Sequence, residues 1–373
     1  MIYLDNAATT PIDPRVVDAM LPYLREQFGN PASGTHAFGQ TAARAVEHAR
    51  EHVAALLNAS PNEIVWTSGA TESTNLALKG IAFANQQRGK HLVTIATEHK
   101  ATLDTMKWLE QQGFALTTIT PDRKGLISLE IFEAALRRDT VLASLMLVNN
   151  EIGVIHDVAA LGALCREREV IFHVDAAQAT GKIEIDLANL PIDLMSLTAH
   201  KTYGPKGIVA LYVRSAPHVK LDAQIHGGGH ERGYRSGTLP THQIAGIGEA
   251  FRLAREEMTA EVPRMRALRD QLWNALRVID GVHLNGDFDQ RIAHNLNIGI
   301  ANCDLPLTAL TEVAISSASA CETGHASHVL AALGTEPADT VMRISVGRFN
   351  TEAEVDFAAR YLKAQIEASR ARH

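Results

Sequence analysis

The sequence predicts an α/β protein: a large domain with a mostly parallel sheet sandwiched by helices, and a smaller α+β domain. Three observations carry that expectation. From Glu63 onward, short apolar runs alternate with loops and helical patterns, the order expected of parallel strands joined by crossover helices. Each run is followed at once by polar residues. After about Val213 the alternation stops, and isolated strand signals stand among helical patterns instead.

Taken in order, Ile2-Tyr3-Leu4 is strand-like, and Asp13-Pro14 starts a helix that runs to about Leu24. Phe28 to His36 is a glycine- and proline-rich loop, long enough to carry function. Gln40 to Asn58 has apolar residues at helical spacing. The apolar runs read as strands are Ile64–Trp66, Leu92–Ala96, Val141–Val148, Val170–Val174, Leu194–Leu197 and Ile208–Val213. A second glycine-rich loop spans His226 to Pro240, and a long helical pattern from Thr241 to Val278 is expected to break near Pro263. Beyond it, strands are expected at Asn295–Ile300 and Arg343–Val346, with helices at Leu305–Val313 and Thr351–Ser369. The predicted division is a large domain over 14–260 and a small one made of 1–13 with 261–373.

Composition narrows the function classes. The chain has 373 residues, enough for roughly two domains. A net charge of -7 argues against a nucleic-acid footprint. No apolar stretch is long enough to span a bilayer, and residues 1–6 lack the pattern of a targeting segment. The three cysteines, Cys165, Cys303 and Cys321, are scattered and have no zinc-like spacing, which points to a reducing, cytoplasmic setting and no metal. His226 and His230 flank glycines without a further ligand set, so a metal is discounted there too.

Ligands of open α/β sheets bind beyond the carboxyl ends of the strands, so the polar tails should converge on one site. These tails are Thr67 to Glu72, Thr97-Glu98-His99, Asn149-Asn150-Glu151, Asp175 to Gln178, and Thr198 to Lys201. Ser68 to Ser73 opens a helix whose free N–H groups suit one phosphate; without a Walker or G-x-G-x-x-G pattern, a di- or triphosphate is disfavoured. The competing reading is an ordinary helix cap, with Glu72 favourable to the dipole. Asp175 follows a buried strand and needs a partner, for which a pyridinium nitrogen is suitable. Lys201, in a partly buried pocket, could form a Schiff base with an aldehyde. An aspartate, a lysine and a phosphate cradle are together what pyridoxal phosphate requires. His99, Asn150 and Gln178 would add a ring-stacking or acid–base group and hydrogen bonds. Cys321 lies among small residues, where a mobile thiolate could act as a nucleophile.

With these residues placed, the sequence resembles the cysteine desulfurases of the NifS/IscS-like type, class V aminotransferases and fold-type I pyridoxal phosphate enzymes. The matching blocks run nearly end to end: Tyr3 to Thr10, Gly29 to Ser33, Thr67 to Ser73, Thr97 to Lys100, Val148 to Gly153, His173 to Gln178, His200-Lys201 and Arg235 to Thr238. The resemblance implies that Lys201 carries the cofactor, with Asp175 on the pyridine nitrogen, Gln178 on the ring oxygen and His99 over the ring. It implies a phosphate site of Ala70, Thr71, Thr198 and His200, completed by Thr238 from the second subunit of a homodimer. Asn150 and Arg343 would hold the substrate carboxylate, and Cys321 would accept sulfur. The expected activity converts L-cysteine to L-alanine and leaves a persulfide on Cys321 for an acceptor protein in iron–sulfur cluster assembly or thiolation. The family pattern is departed from at Ala318 and Glu322, in a loop about two residues shorter, and at a C-terminus without the longer tail of some relatives. A transaminase, a lyase acting on another substrate such as selenocysteine, and a non-enzymatic scaffold are the alternatives.

Overall fold

The computed structural model describes residues 1–217, 219–317, 327–334 and 340–371. Cys321 and its neighbours Ala318 and Glu322 lie outside the described residues. In chain order the first half contains β1 (Ile2–Tyr3), α1 (Pro14–Arg25), α2 (Ala37–Leu56), β2 (Ile64–Thr67), α3 (Ala70–Asn85), β3 (His91–Ile95), α4 (Lys100–Gln111), β4 (Ala115–Ile119), α5 (Leu129–Ala135) and β5 (Thr140–Met146). There follow α6 (Val158–Glu167), β6 (Ile171–Asp175), β7 (Leu194–Ser196), β8 (Val209–Val213), α7 (Thr241–Leu276), β9 (Val282–Leu284), β10 (Asn295–Ile300), β11 (Val313–Ala314), α8 (His328–Ala332), β12 (Thr340–Ser345) and α9 (Glu352–Arg370). Local chemistry starts several helices: the Asp13 carboxylate caps α1 ahead of Pro14, and Thr351 with Glu354 forms a capping box on α9.

The large sheet has the order β2-β8-β7-β6-β5-β3-β4. Its pairings are parallel except the two that β8 makes. Two successive antiparallel pairings restore direction, so β2 runs the same way as β7. The carboxyl ends of β2, β3, β5, β6 and β7 therefore share one edge, and β8 begins there. Strands β2, β3, β5, β7 and β8 are buried along their whole length, because helices cover both faces.

A second sheet, β12-β10-β9, is antiparallel, and β1 pairs in parallel with β11. Its core contains Leu4, Leu296, Ile298, Met342, Ile344 and Leu362, separate from the core under the large sheet. Helix α7 feeds both, giving Ile244, Ile247 and Phe251 to one and Leu268, Leu272 and Leu276 to the other.

Two expectations need correction. Helix α7 does not break at Pro263. Proline removes one intrahelical bond, but Pro263 and Thr259, whose carbonyl loses its donor, are both exposed, so water can take the place of the bond. The expected helix at Leu305–Val313 is only a short turn at Leu307–Ala309 followed by β11. There the Thr311 N–H, which a helix would donate to the Leu307 carbonyl, goes instead to the Tyr361 hydroxyl, and the chain beyond it pairs with β1, the Glu312 and Ala314 carbonyls accepting the Ile2 and Leu4 N–H groups at 2.7 and 2.9 Å. Strand β4 was not foreseen.

Candidate active site

The shared strand edge opens into a cavity of about 350 Å³ lined by Ala7, Ala8, Ser68, Gly69, Ala70, Thr71, His99, Asn150, Gln178, His200, Lys201, Lys206, Gly207, Val209 and Arg343. Eight of the residues singled out in the sequence thus meet at one place: Ala70, Thr71, His99, Asn150, Gln178, His200, Lys201 and Arg343. Asp175 and Thr198 are buried at the ends of β6 and β7 and do not line it. Thr238 is exposed on its loop and does not line this chain's cavity either.

Lys201 follows β7 in a tight turn closed by Thr202 and Gly204 N–H groups donating to the Ala199 carbonyl at 2.8 and 3.0 Å. The preceding His200 carbonyl accepts from the Thr10 N–H at 2.8 Å and its hydroxyl at 3.0 Å. The Lys201 carbonyl accepts from Lys182 Nζ at 2.6 Å. The backbone around Lys201 is thereby held from both sides, and Lys201 lines the cavity. Burial, then the Lys201, Lys206 and Lys182 charges, push the His200 imidazole down to about 4, so it is neutral and its Nδ1 lies 3.1 Å from the Thr9 hydroxyl.

His99 caps α4, its Nδ1 accepting the Ala101 N–H at 3.1 Å. An accepting Nδ1 is deprotonated, so the neutral ring carries its proton on Nε2. Burial holds this histidine below its usual range; Asp175 opposes the shift, and Lys201 and His328 reinforce it. Beneath it, Glu98 is fully buried and accepts the Met146 N–H. Burial and the neighbouring Asp175 charge raise the Glu98 carboxyl well above the usual carboxylate range. Asp175 Oδ1 accepts the Ala177 N–H at 2.9 Å, which fixes the carboxylate at the strand end.

Arg343, on β12, enters from the second sheet. Its Nη2 donates to Asp5 at 3.0 Å and its Nη1 to the Asn150 carbonyl at 3.1 Å. Asp5 is steadied by the Ser316 hydroxyl at 2.7 Å. Arg343 Nε and Asn150 Oδ1 are buried with no hydrogen-bond partner among the described residues. A cationic fork with a spare donor at a cavity wall suits a carboxylate.

A pyridoxal phosphate fits these groups. The α3 N-terminus is capped by Gly69, which offers no side chain, so the first N–H groups are left for another acceptor. A Cβ on Gly69 would meet nothing within 4 Å, so this helix end faces open space. Glu72 turns back to the Ser68 N–H at 2.9 Å and pairs with Arg235 at 2.7 Å instead of filling that space. Thr198 Oγ1 is buried without a partner among the described residues, an orphan that a phosphate oxygen would satisfy. Reasoning from sequence had missed Asp5, Lys182 and Lys206. Asp5 and Arg343 are 338 residues apart, and only the TyrLeuAsp block at the start hinted at a role.

Comparison with known proteins gives the chain's relatives. Residues 2–357 match the family model described as aminotransferase class-V. The chain is 60% identical to a cysteine desulfurase IscS of Methylobacillus flagellatus, covering 98% of this chain and 92% of that protein. It is 54% identical to a cysteine desulfurase IscS of Vibrio cholerae, covering 99% and 94%. Among solved structures, a NifS-like protein superposes with a TM-score of 0.91 at 36% identity over 98% of both chains. A structure of SspA in complex with cysteine superposes at 0.83, with 37% identity over 94% of this chain and 100% of that one. A match that runs from β1 into α9 and takes in every strand end around the cavity leaves one conclusion: the chain belongs to the class-V aminotransferase family.

Proposed function

We propose that this protein is a pyridoxal phosphate-dependent L-cysteine desulfurase, which converts L-cysteine to L-alanine and leaves the sulfur as a persulfide on Cys321. The observation that carries the reading is the joining of Lys201, His99 and the Arg343 fork in one cavity, combined with full-length likeness to proteins named cysteine desulfurase. When bound, the cofactor would supply an electron sink for the substrate's α-carbon. Ala70, Thr71, Thr198 and His200 would hold its phosphate, with Thr238 of a second subunit in a homodimer, while Asp175 and Gln178 meet the ring. Gln178 Nε2 donates to the Ala7 carbonyl at 2.9 Å, which already sets its amide orientation.

Arg343 and Asn150 orient the substrate carboxylate at the cavity wall. The Lys201 amine removes the α-proton, and His99, a neutral ring with its proton on Nε2, acts as a hydrogen-bond donor in the same cavity. The Cys321 thiolate attacks the substrate sulfur: the C–S bond breaks, an S–S bond forms on Cys321, and alanine leaves. In sum, one thiol and L-cysteine give one persulfide and L-alanine. A sulfur-acceptor protein of iron–sulfur assembly or thiolation then takes the sulfur. We further place the domain division at 14–260 against 1–13 with 261–373, a reading supported by the apolar core of the second sheet, whose side chains all come from 1–13 and 261–373.

The test is a peptide mass spectrum after brief exposure to L-cysteine without reductant, beside an alanine assay. A one-sulfur gain on the Cys321 peptide with matching alanine is expected, and Cys321→Ala should lose it yet keep the visible absorbance of the cofactor. Lys201→Ala should lose the Schiff-base absorbance band. Full alanine production by Cys321→Ala would refute the persulfide step, and amino transfer to a keto acid would favour a transaminase.

A further inference from the structure

Lys182 lies in the buried stretch after Asp175 to Gln178 and is only 4% exposed. Its Nζ donates to the Lys201 carbonyl at 2.6 Å, and Lys182 does not itself line the cavity. Burying an amine is costly unless a carboxylate compensates it. Among the described residues Lys182 has no ion-pair partner. Glu261 of α7, the carboxylate whose field reaches it, is held at 2.6 Å by Arg348, and Arg348 is itself paired with Asp13 at 2.7 Å. The remaining groups facing Lys182 are Lys201, Arg348 itself as a second cation, the neutral His200, and the buried His294, whose ring is kept neutral by burial and by the surrounding cations, Lys182 first. A lysine is thus placed where only a hydrogen bond to a carbonyl is needed, and where its charge meets more cations than anions. A glutamine could satisfy the carbonyl; a methionine could fill the volume. What only a basic side chain adds is charge beside Lys201.

We propose that Lys182 is a positioning residue of this site, which fixes the Lys201 backbone and by its charge disfavours protonation of the Lys201 nitrogen, keeping that nitrogen a competent base. Burial and the Lys201 charge draw Lys182 itself down to about 7, with Glu261 opposing, as expected for two amines that resist being charged together. The same repulsion acts on Lys201. Neighbouring cations activate a lysine amine in this way. The inference rests on Lys201 as the cofactor-bearing lysine, a reading tested separately by Lys201→Ala.

The experiment is a spectrophotometric pH titration of the full-length holoenzyme, in which the change in visible absorbance reports the proton on the Lys201 nitrogen. Lys182→Gln keeps a donor without charge, Lys182→Met removes both, and Lys182→Arg keeps the charge. In Lys182→Gln and Lys182→Met the midpoint should rise by about one pH unit, a tenfold change in proton affinity, and Lys182→Arg should return it toward the parent. Thermal unfolding of each variant identifies any that fails to fold, and the two charge-free variants serve as mutual backup. A Lys182→Gln holoenzyme that titrates as the parent does would overturn the proposal and leave Lys182 a purely structural donor. Failure of the cofactor reading would look different, since the parent would then show no such titration.

Discussion

Replacing Arg343 with lysine tests the substrate-carboxylate site most directly. The guanidinium gives Nη2 to Asp5 at 3.0 Å and Nη1 to the Asn150 carbonyl at 3.1 Å, and its buried Nε, without a partner among the described residues, leaves a third donor. A lysine keeps the charge but has a single nitrogen at the end of a flexible stem, and cannot reach all three. The loss is about one charge-assisted hydrogen bond, roughly 1.5–3 kcal/mol, so kcat/KM for L-cysteine should fall about 10- to 150-fold. Because the carboxylate is bound alike before and during the reaction, most of the loss should fall on KM. Initial rates of alanine formation, with a thermal melt to confirm folding, give both numbers. Asp5→Asn should show a smaller loss of the same kind, and the double variant should lose less than the sum, since both act through one fork. A change in kcat/KM below about twofold in folded Arg343→Lys would refute the assignment.

Other outcomes follow from buried groups. Glu231 and Arg50 form a buried pair at 2.8 Å that also holds the Trp66 N–H at 2.8 Å, so Glu231→Ala should cost about 3–5 kcal/mol in urea unfolding; a loss under about 1 kcal/mol would mean the pair is replaceable. His173 is fully buried between the Ser144 and Ser196 hydroxyls, and burial pushes it down to about 4. The unfolded chain therefore binds a proton that the native one refuses, so stability present above pH 6.5 is lost as pH falls toward 4, by roughly 3 kcal/mol for this residue. His173→Asn should flatten that slope in urea titrations at several pH values; an unchanged slope would assign the acid loss elsewhere. For His99, whose range is lowered, NMR of labelled histidine should show a neutral ring with the proton on Nε2 at neutral pH; a midpoint above 7 would contradict the lowered range, and nitrogen shifts placing the proton on Nδ1 would contradict the tautomer.

The sequence showed most of the site because chemistry sat at the ends of apolar runs. β2, β3, β5, β6 and β7 were all visible as such runs, and their tails hold Ala70, His99, Asn150, Asp175 and Lys201. Less was visible where the signal is not local. β4 is half-exposed, with Thr117 and Thr118 in its middle, and as an edge strand it lacks the continuous apolar character of its neighbours. The Leu305–Val313 misreading came from leucine spacing that suits a helix, whereas Tyr361 and β1, both distant in sequence, claim the backbone groups. Lys182 gave no sign at all. A lysine after a glycine reads as a surface turn, and only packing shows that it ends at the Lys201 carbonyl.

Helix α7, at 36 residues, is a rod about 54 Å long. Because it supplies side chains to both apolar cores, neither core is complete without it. A chain cut near residue 260 would leave each fragment with half of a wall, exposing Phe251 and its neighbours on one piece and Leu268 and Leu272 on the other. The two halves are therefore expected to melt together, in a single calorimetric transition, and to be inherited as one indivisible piece. Swapping the C-terminal half between relatives should succeed only when the whole of α7 travels with one partner and its contacts to both cores are kept.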